Sequence, residues 1–517
     1  MVDLSTRKTN TTFTEQSFWA GITRWSPLIF IVLAFLFWGG RTLWDTSEGR
    51  YGQAAFEMLH SGNWLVPSLA GHPHLTKPAL TYWLIGLGMK IFGVNAWGAR
   101  FFLSAAFLGT IFAVRELAKA MGFSRHQAVA AALIYATGAI PFGGGHTLTT
   151  DGFLALWETL GMLAAWKIWY GDERKIPYWR LVFWIAFALA FLTKGPPGWL
   201  ALVVIGAYLL LQRNKTERRK LFSPACFVLF LIISFSWYGI IILQQHQMLE
   251  YFLKDEVYKR IFTTAHHRNA PFWIYAPILT AGVGPWLVLW PWLLRRAWQF
   301  APGRGRRLEG WPLFLVLWVL LPLLVFTVAK SRMIFYVLPL FVPISLAMGK
   351  ILPLDFLPLL AKSQRWRKIA IGVAVFWALV LVIYTGGLDL LSRGRSMRTA
   401  AGVFNEKIEQ MGGPSRQCYW IWAGRQRYSL GFYMQRVIMD AENLELFATA
   451  AKNATTASPL FVTSEESFTD ARRGKLPVPK TVELEKLATA QDYVLFTILP
   501  EAHESKSDDA RPLERRI

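Results

Sequence analysis

Long apolar runs recur through most of the chain and are separated by short polar loops. A helix needs about 20 residues to cross the hydrocarbon layer of a membrane, and on that basis the runs predict about eleven spans. A shorter run at 80–93 is a candidate partial or re-entrant span, so the count extends up to about thirteen. The predicted spans are residues 27–43, 97–115, 127–145, 152–170, 179–193, 196–212, 223–243, 272–294, 311–329, 333–350 and 369–388. The pattern therefore predicts a polytopic α-helical membrane protein.

Basic residues collect in alternate loops, at 115–125, 171–175, 213–220, 295–307 and 362–368. Loops rich in Lys and Arg stay on the cytoplasmic side, so the amino terminus is predicted to be cytoplasmic and the intervening loops to face outward. The formal net charge is +22, while 54% of residues are hydrophobic and only 17% are charged. Because the positive charge lies in these loops, it indicates membrane topology and lipid headgroups rather than a nucleic-acid partner.

The character of the chain changes after residue 390. Apolar runs shorten to strand length, as in CYWIW, PLFVTS and YVLFTI, and alternate with helix-like segments. This pattern predicts a membrane domain over 1–390 and a small soluble α/β domain over 391–517 on the outer face, ending in a disordered tail. The first outer loop, 44–96, is expected to carry interfacial helices, one of them around residues 53–59 with Glu57 on a solvated face.

Several cations lie on the predicted outer side, against the positive-inside trend. They are Arg50, Lys77, Lys194, Lys330 and Arg332. Snorkelling at a helix end explains any one of them, whereas an anionic ligand such as a phosphate explains the group. A lipid-linked phosphate leaves as a stable anion, so a transferase needs cations to hold it and a carboxylate to activate or orient the acceptor.

Three carboxylates on the same side are candidates for that second task. Glu48 and Asp45 belong to the stretch WDTSEGRY, and Asp151 begins a predicted span, where it also fits an ordinary helix cap. The neighbouring pair His266 and His267 is either loop surface or a source of metal ligands. If Glu48 is the base, Glu48→Gln should abolish transfer without lowering the amount of folded protein.

Six segments resemble one family, in the family's order. They begin with EGRYGQAAFEMLHSGNWLVPSLAGHPHLTKPALTYW and continue with TLTTDGFLALW, FLTKGPPG, HHRNAPFWIYAPILTAGVGPW, AKSRMIFYVLPLF and RYSLGFYM. This chain resembles the bacterial aminoarabinose transferases and related polyprenyl-phosphate glycosyltransferases of the GT-C superfamily, which includes the protein O-mannosyltransferases. The resemblance implies a GT-C fold and an inverting glycosyltransferase of the bacterial inner (plasma) membrane. Such an enzyme moves a sugar, for example aminoarabinose, from a polyprenyl-phosphate donor to lipid A or another envelope acceptor at the periplasmic face.

The resemblance also implies roles for individual residues. The donor phosphate would be bound by Arg50, Lys77, Lys194, the Lys330/Arg332 turn and Tyr336, and substrate would contact Tyr51 and Tyr82. Ser47 stands where the family usually has Asp. The carboxylate that activates or orients the acceptor would therefore be Glu48, Asp45 or Asp151. Thr76 stands where the aminoarabinose transferases have a Glu that can hold a metal with a loop histidine. A divalent metal ion is therefore an open expectation, with His266 and His267 as its candidate ligands.

Two other functions fit part of the pattern. A transporter or flippase for a lipid-linked sugar would also present outer cations, but it predicts ionisable residues near the middle of several spans, where this chain has mainly Glu158. A transferase acting on protein or on other glycan acceptors shares every feature above.

Overall fold

A computed structural model of the chain describes residues 9–45, 47–212, 215–255, 270–298, 309–352, 363–387, 396–412, 416–441, 459–478 and 482–500. Contacts divide the chain into two compact units, Met1–Arg395 and Ser396–Ile517. The boundary predicted from the sequence lies at 390/391, five residues before this division.

The first unit is helical. Its α-helices are α1 Thr9–Phe35, α2 Ser47–Ser61, α3 Leu80–Phe92, α4 Ala96–Ala120, α5 Arg125–Thr137, α6 Ala139–His146, α7 Thr150–Tyr170, α8 Ile176–Lys194, α9 Leu200–Gln212, α10 Lys215–Leu221, α11 Pro224–Gln244, α12 Gln247–Leu253, α13 Tyr275–Ala281, α14 Trp290–Trp298, α15 Gly310–Val328, α16 Phe341–Ile351 and α17 Gln364–Val382. Short 3₁₀ helices cover Glu173–Lys175, Pro196–Trp199, Phe272–Ile274, Gly284–Leu289 and Ile334–Leu340, and a π-helical turn covers Ile383–Gly387.

By length and composition, six helices of the described residues are long and apolar enough to cross a membrane, or up to eight if each of two bent pairs is one span. Shorter apolar helices cover Ala20–Phe35, Leu80–Phe92 and Pro196–Gln212. Each predicted span overlaps a helix or a bent pair of helices, although fewer of them than the predicted eleven are long and apolar enough to count as candidate spans within the described residues. The chain is a multi-pass membrane protein.

The structure corrects the outlines of three predicted spans. The first helix ends at Phe35 and not near residue 43, because the chain turns there and Phe37 adopts a φ of 46°. The predicted span 127–145 is bent by 62° at Gly138. Pro141 lacks the N–H that would bond the carbonyl of Thr137, so α5 ends at Thr137.

The predicted span 272–294 is broken in the same way, with a bend of 96°. Pro285 cannot donate to Ala281, where α13 ends. Gly284 adopts a φ of 65°, which glycine reaches without strain.

The first loop after α1 folds into α2 and a small hairpin. Strands β1 Ser68–Leu69 and β2 His72–Pro73 are antiparallel, and the turn residues Ala70 and Gly71 have φ values of 56° and 78°. Glu57 of α2 accepts hydrogen bonds from the backbone N–H groups of Ala70 and Gly71 at 2.9 and 3.1 Å, and from the Gln53 side chain at 2.9 Å. Glu57 is only 2% exposed, so the expectation that it faces solvent was wrong: the hairpin covers it.

The second unit is an α/β domain, as predicted. Its five-stranded sheet has the order β4-β3-β5-β7-β6, with β3–β4 and β3–β5 parallel and the other pairs antiparallel. The strands are β3 Cys418–Trp420, β4 Ile438–Asp440, β5 Leu460–Ser464, β6 Val482–Ala490 and β7 Tyr493–Pro500, and the helices are α18 Arg398–Gln410, α19 Tyr428–Met434 and α20 Glu465–Arg472.

Candidate active site

Glu48 lies at the start of α2 in a buried network of donors. Its Oε2 accepts from Arg41 Nη1 at 2.6 Å and from the Trp44 N–H at 3.2 Å. Its Oε1 accepts from Arg100 Nη2 and Nε at 2.9 and 3.1 Å, and from the Leu148 N–H at 2.9 Å. The network connects the segment between α1 and α2, the start of α2, helix α4 and the loop before α7.

Burial by itself would raise the pKa of the Glu48 carboxyl, because it disfavours the charged form. The charges of Arg100 and Arg41, with the hydrogen bonds from Arg41 and Leu148, outweigh burial and lower the pKa to about 2. Glu48 is 1% exposed and both of its oxygens are occupied by donors. This geometry favours a positioning role over proton abstraction, while the catalytic role of Glu48 stays a prediction.

Asp151 and Lys194 form a second buried ion pair. Asp151 lies in the first turn of α7, whose N-cap is Thr149, and Lys194 is the last residue of α8. Lys194 Nζ donates to Asp151 Oδ1, and both residues are more than nine-tenths buried. The same ammonium lies 4.5 Å from the centre of the Tyr336 ring, a cation–π distance. Sequence reasoning listed all three residues, and the structure brings them together.

A group of aromatic and polar side chains extends from this pair. The Tyr51 phenol lies close to Thr150, Asp151 and Lys194, and burial raises its pKa, so it stays protonated and can donate a hydrogen bond. The Tyr51 and Tyr82 ring centres are 5.8 Å apart.

Tyr82 connects this group to the β-hairpin. The His74 ring centre lies 6.2 Å from that of Tyr82, and His74 Nε2 is 3.0 Å from Thr76 Oγ1. The Thr76 hydroxyl is therefore in contact with His74. The sequence resemblance places Thr76 where the aminoarabinose transferases have a glutamate.

Beside Lys194 lies a largely apolar cavity of about 390 Å³. Its apolar walls come mainly from α8, α11, α12 and α15, through residues such as Phe191, Phe235, Phe252 and Phe326. Its polar lining includes Lys77, Lys194, Thr76, Ser331 and Tyr336. Three predicted phosphate-binding residues therefore line one cavity: Lys77, Lys194 and Tyr336.

Other predicted residues lie elsewhere. Lys330 is exposed and is absent from the cavity lining. Arg332 is half-buried, and its guanidinium donates to the carbonyls of Ala270 and Thr327 at 2.6 and 2.7 Å. Arg50 is half-buried with its guanidinium carbon 5.5 Å from the Tyr51 ring centre. Asp45 is half-buried in the turn before α2.

In the described part of the chain, no group of three or more His, Cys, Asp or Glu side chains is placed to hold a divalent metal ion. His266 and His267 lie outside the described residues. His74 with the Thr76 hydroxyl is a poor ligand pair, so no chemical step is assigned to a metal here.

Sequence reasoning missed Arg41 and Arg100, which are 2% and 1% exposed. The available signal was charge balance. A glutamate in a short segment between apolar runs needs a cationic partner, and these two arginines lie at the ends of predicted spans on the same side.

Comparisons with known proteins confirm the resemblance drawn from the sequence. A model of the dolichyl-phosphate-mannose-protein mannosyltransferase family matches residues 76–238. An undecaprenyl phosphate-α-4-amino-4-deoxy-L-arabinose arabinosyl transferase of Aeromonas salmonicida (strain A449) is 32% identical over 63% of this chain and 59% of its own length. A protein of the same name from Photorhabdus laumondii is 31% identical, over 62% and 58%. This chain thus spans less than two thirds of the relatives it matches.

The crystal structure of ArnT from Cupriavidus metallidurans bound to undecaprenyl phosphate is similar with a TM-score of 0.73 and 19% identity. The likeness covers 91% of this chain and 97% of that one. The predicted GT-C fold is thereby confirmed.

Proposed function

We propose that the chain is a membrane glycosyltransferase that takes a sugar from a polyprenyl-phosphate donor and places it on an acceptor of the bacterial envelope. We place the site at the outer face of the inner membrane, with the amino terminus in the cytoplasm. The observation that carries the proposal is the apolar cavity whose polar lining holds two lysines and the Tyr336 phenol. An apolar lining that also contains lysines matches a molecule that joins an isoprenoid chain to a phosphate.

The charges at the cavity fit the transfer step. An acceptor oxygen attacks the anomeric carbon from the face opposite the phosphate, the bond between that carbon and the phosphate oxygen breaks, and polyprenyl phosphate leaves with the electron pair. The leaving phosphate gains one negative charge, which Lys194 and Lys77 stabilise more strongly as it develops. If the acceptor is a hydroxyl, its proton goes to a carboxylate, and we assign that role to Asp151 because it pairs with the cavity residue Lys194 and lies close to Tyr51.

The donor class has more support than the sugar or the acceptor. The matched family and the aminoarabinose relatives differ in sugar, but their names share an isoprenoid-phosphate carrier. Aminoarabinose is the leading sugar, because the arabinosyl transferases that this chain resembles carry it in their name. Lipid A is the leading acceptor on the family resemblance drawn from the sequence. Protein hydroxyls are the second acceptor class, because the family model is that of a protein mannosyltransferase.

Sugar transfer in proteoliposomes tests the proposal. The purified protein is supplied with polyprenyl-phosphate sugars, aminoarabinose and neutral hexoses among them, and with lipid A or a protein acceptor, with and without a chelator. The key variant is the double substitution Asp151→Asn and Lys194→Met, because it removes both charges and leaves neither partner buried alone. Lys119→Met is the matched control, since it removes a lysine from the partly exposed pair with Glu116.

We expect a sugar-dependent mass gain on one acceptor, reduced about 100-fold or more in the double variant and unchanged in the control. Full transfer by a folded double variant would remove this ion pair from the mechanism. Movement of the donor between leaflets without transfer to any acceptor would favour the transporter. Loss of transfer with the chelator would show that a metal takes part.

A further inference from the structure

Ser331 lies in the turn between α15 and the 3₁₀ helix Ile334–Leu340. It is 5% exposed and lines the cavity that also contains Lys77 and Lys194. Its hydroxyl is fully buried, and no atom of the described residues is placed to form a hydrogen bond with it. A buried hydroxyl without a partner destabilises the fold, so its presence here requires an explanation.

Other buried hydroxyls also lack a partner, and comparison with them shows what is particular to Ser331. Ser104 and Ser234 are fully buried inside α4 and α11 and do not line the cavity. Inside a helix, a serine hydroxyl can reach the carbonyl four residues earlier by rotating about χ1, so Ser104 and Ser234 have a backbone partner available to them. Ser331 lies outside any helix and has no such carbonyl. Among the described residues no other partner is placed for it, so a group bound in the cavity is available as its partner.

The neighbours of Ser331 in the turn face other groups. Arg332 donates to the carbonyls of Ala270 and Thr327, which holds the turn against the end of α15. Lys330 is exposed and off the cavity. Of these three polar residues, Ser331 is the one that the turn presents to the cavity.

We propose that the Ser331 hydroxyl donates a hydrogen bond to the phosphate of the lipid-linked donor, while Arg332 keeps the turn in place. This inference rests on the proposed function and adds a binding residue to it. A phosphate held by Lys77 and Lys194 has further oxygen lone pairs to satisfy in an apolar cavity, and a neutral donor satisfies one without adding charge. Binding of the phosphate gives the Ser331 hydroxyl the partner that the described residues do not provide.

Equilibrium binding to the full-length protein in detergent tests the inference, with undecaprenyl phosphate as the probe and undecaprenol as the same lipid without phosphate. Ser331→Ala should weaken undecaprenyl phosphate binding about tenfold, the usual size for a hydrogen bond to a charged group, and leave undecaprenol binding unchanged. Ser331→Thr keeps the hydroxyl and should retain most of the affinity. Ser234→Ala is the matched control, because it removes a buried unpartnered hydroxyl from a helix that forms part of the same wall.

Three outcomes distinguish failure of the Ser331 inference from failure of the proposed function. If the parent prefers undecaprenyl phosphate and Ser331→Ala binds it equally well, the Ser331 inference is overturned and the proposed function stands. If the parent binds both lipids equally, the proposed phosphate site fails and the Ser331 inference fails with it. If Ser331→Ala weakens both lipids alike, the side chain shapes the cavity and does not bind phosphate.

Discussion

Glu48→Gln is the most informative substitution, because the structure and the sequence lead to different expectations for it. Glutamine has nearly the same shape but replaces one carboxylate oxygen with an NH₂ group. In this site that group meets donors whichever way the amide is turned: Arg41 and the Trp44 N–H on one side, or Arg100 and the Leu148 N–H on the other. The variant also leaves two buried arginines without their anionic partner.

The magnitude follows from the pKa of Glu48. A shift from the ordinary 4.5 to about 2 corresponds to about 3 kcal/mol of folding stability. The folded-state pKa is the lower one, so this stability is fully present above about pH 4.5 and is lost as pH falls toward about 2. Removal of one partner from a buried ion pair costs a similar amount, about 3–5 kcal/mol.

The assay is thermal unfolding of the purified protein in detergent, followed by loss of the monodisperse peak and by tryptophan fluorescence, at several pH values. Glu48→Gln should unfold well below the parent at neutral pH, and the two should converge as pH falls below about 4.5. Glu116→Gln is the matched control, because Glu116 pairs with Lys119 at a partly exposed site where an ion pair contributes at most about 1 kcal/mol. If Glu48→Gln is as stable as Glu116→Gln at neutral pH but inactive, the positioning role is refuted and Glu48 returns as a candidate base.

Three further substitutions test other parts of the structure. Glu57→Ala should destabilise the 68–73 hairpin by about 1–3 kcal/mol, because the buried Ala70 N–H and the Gly71 N–H lose their acceptor. The effect should appear as faster proteolysis of that loop, and unchanged proteolysis would contradict it. Gly88→Ala should lower the unfolding temperature, since its Cβ would lie 2.2 Å from the Gly98 carbonyl oxygen, whereas Gly206→Ala, with nothing within 4 Å, should not. Lys77→Ala should weaken undecaprenyl phosphate binding about tenfold while Lys330→Ala should leave it unchanged, and equal effects would show that the cavity lining does not identify the phosphate ligands.

The fold was predictable where hydrophobic length determines it. Runs such as 97–115 and 223–243 predict single helices because an apolar segment of that length has one good solution in a membrane, and α4 and α11 follow them. The bends were readable in principle from Pro141 and Pro285, whose missing N–H breaks a helix, but an apolar run gives the same hydropathy whether it is straight or bent.

The site was predictable as a list of residue types and less so as a geometry. Asp151, Lys194 and Tyr336 come from three distant segments, and the family motifs placed them in one list that the structure brings together. The motifs could not show that Glu48 is enclosed by Arg41 and Arg100, because those partners are set by how the α1 turn meets α4. The motifs also could not show that Ser331 lines the cavity while Arg332 donates to backbone carbonyls, since neighbouring residues in a turn point in different directions.

The enclosure of Glu48 also bears on how the site treats charge. Two arginines cannot remain buried beside the site without an anion, and Glu48 supplies one that is held by donors on both oxygens. Asp151 likewise accepts from Lys194 while the same ammonium lines the cavity. Glu48 and Asp151 thus keep their cationic partners in place. Arg41, Arg100, Lys194 and Lys77 nevertheless outnumber these two carboxylates. A donor phosphodiester carries one negative charge and the leaving polyprenyl phosphate carries up to two, so in the proposed reaction a net positive, preorganised site stabilises the transition state more than the bound donor.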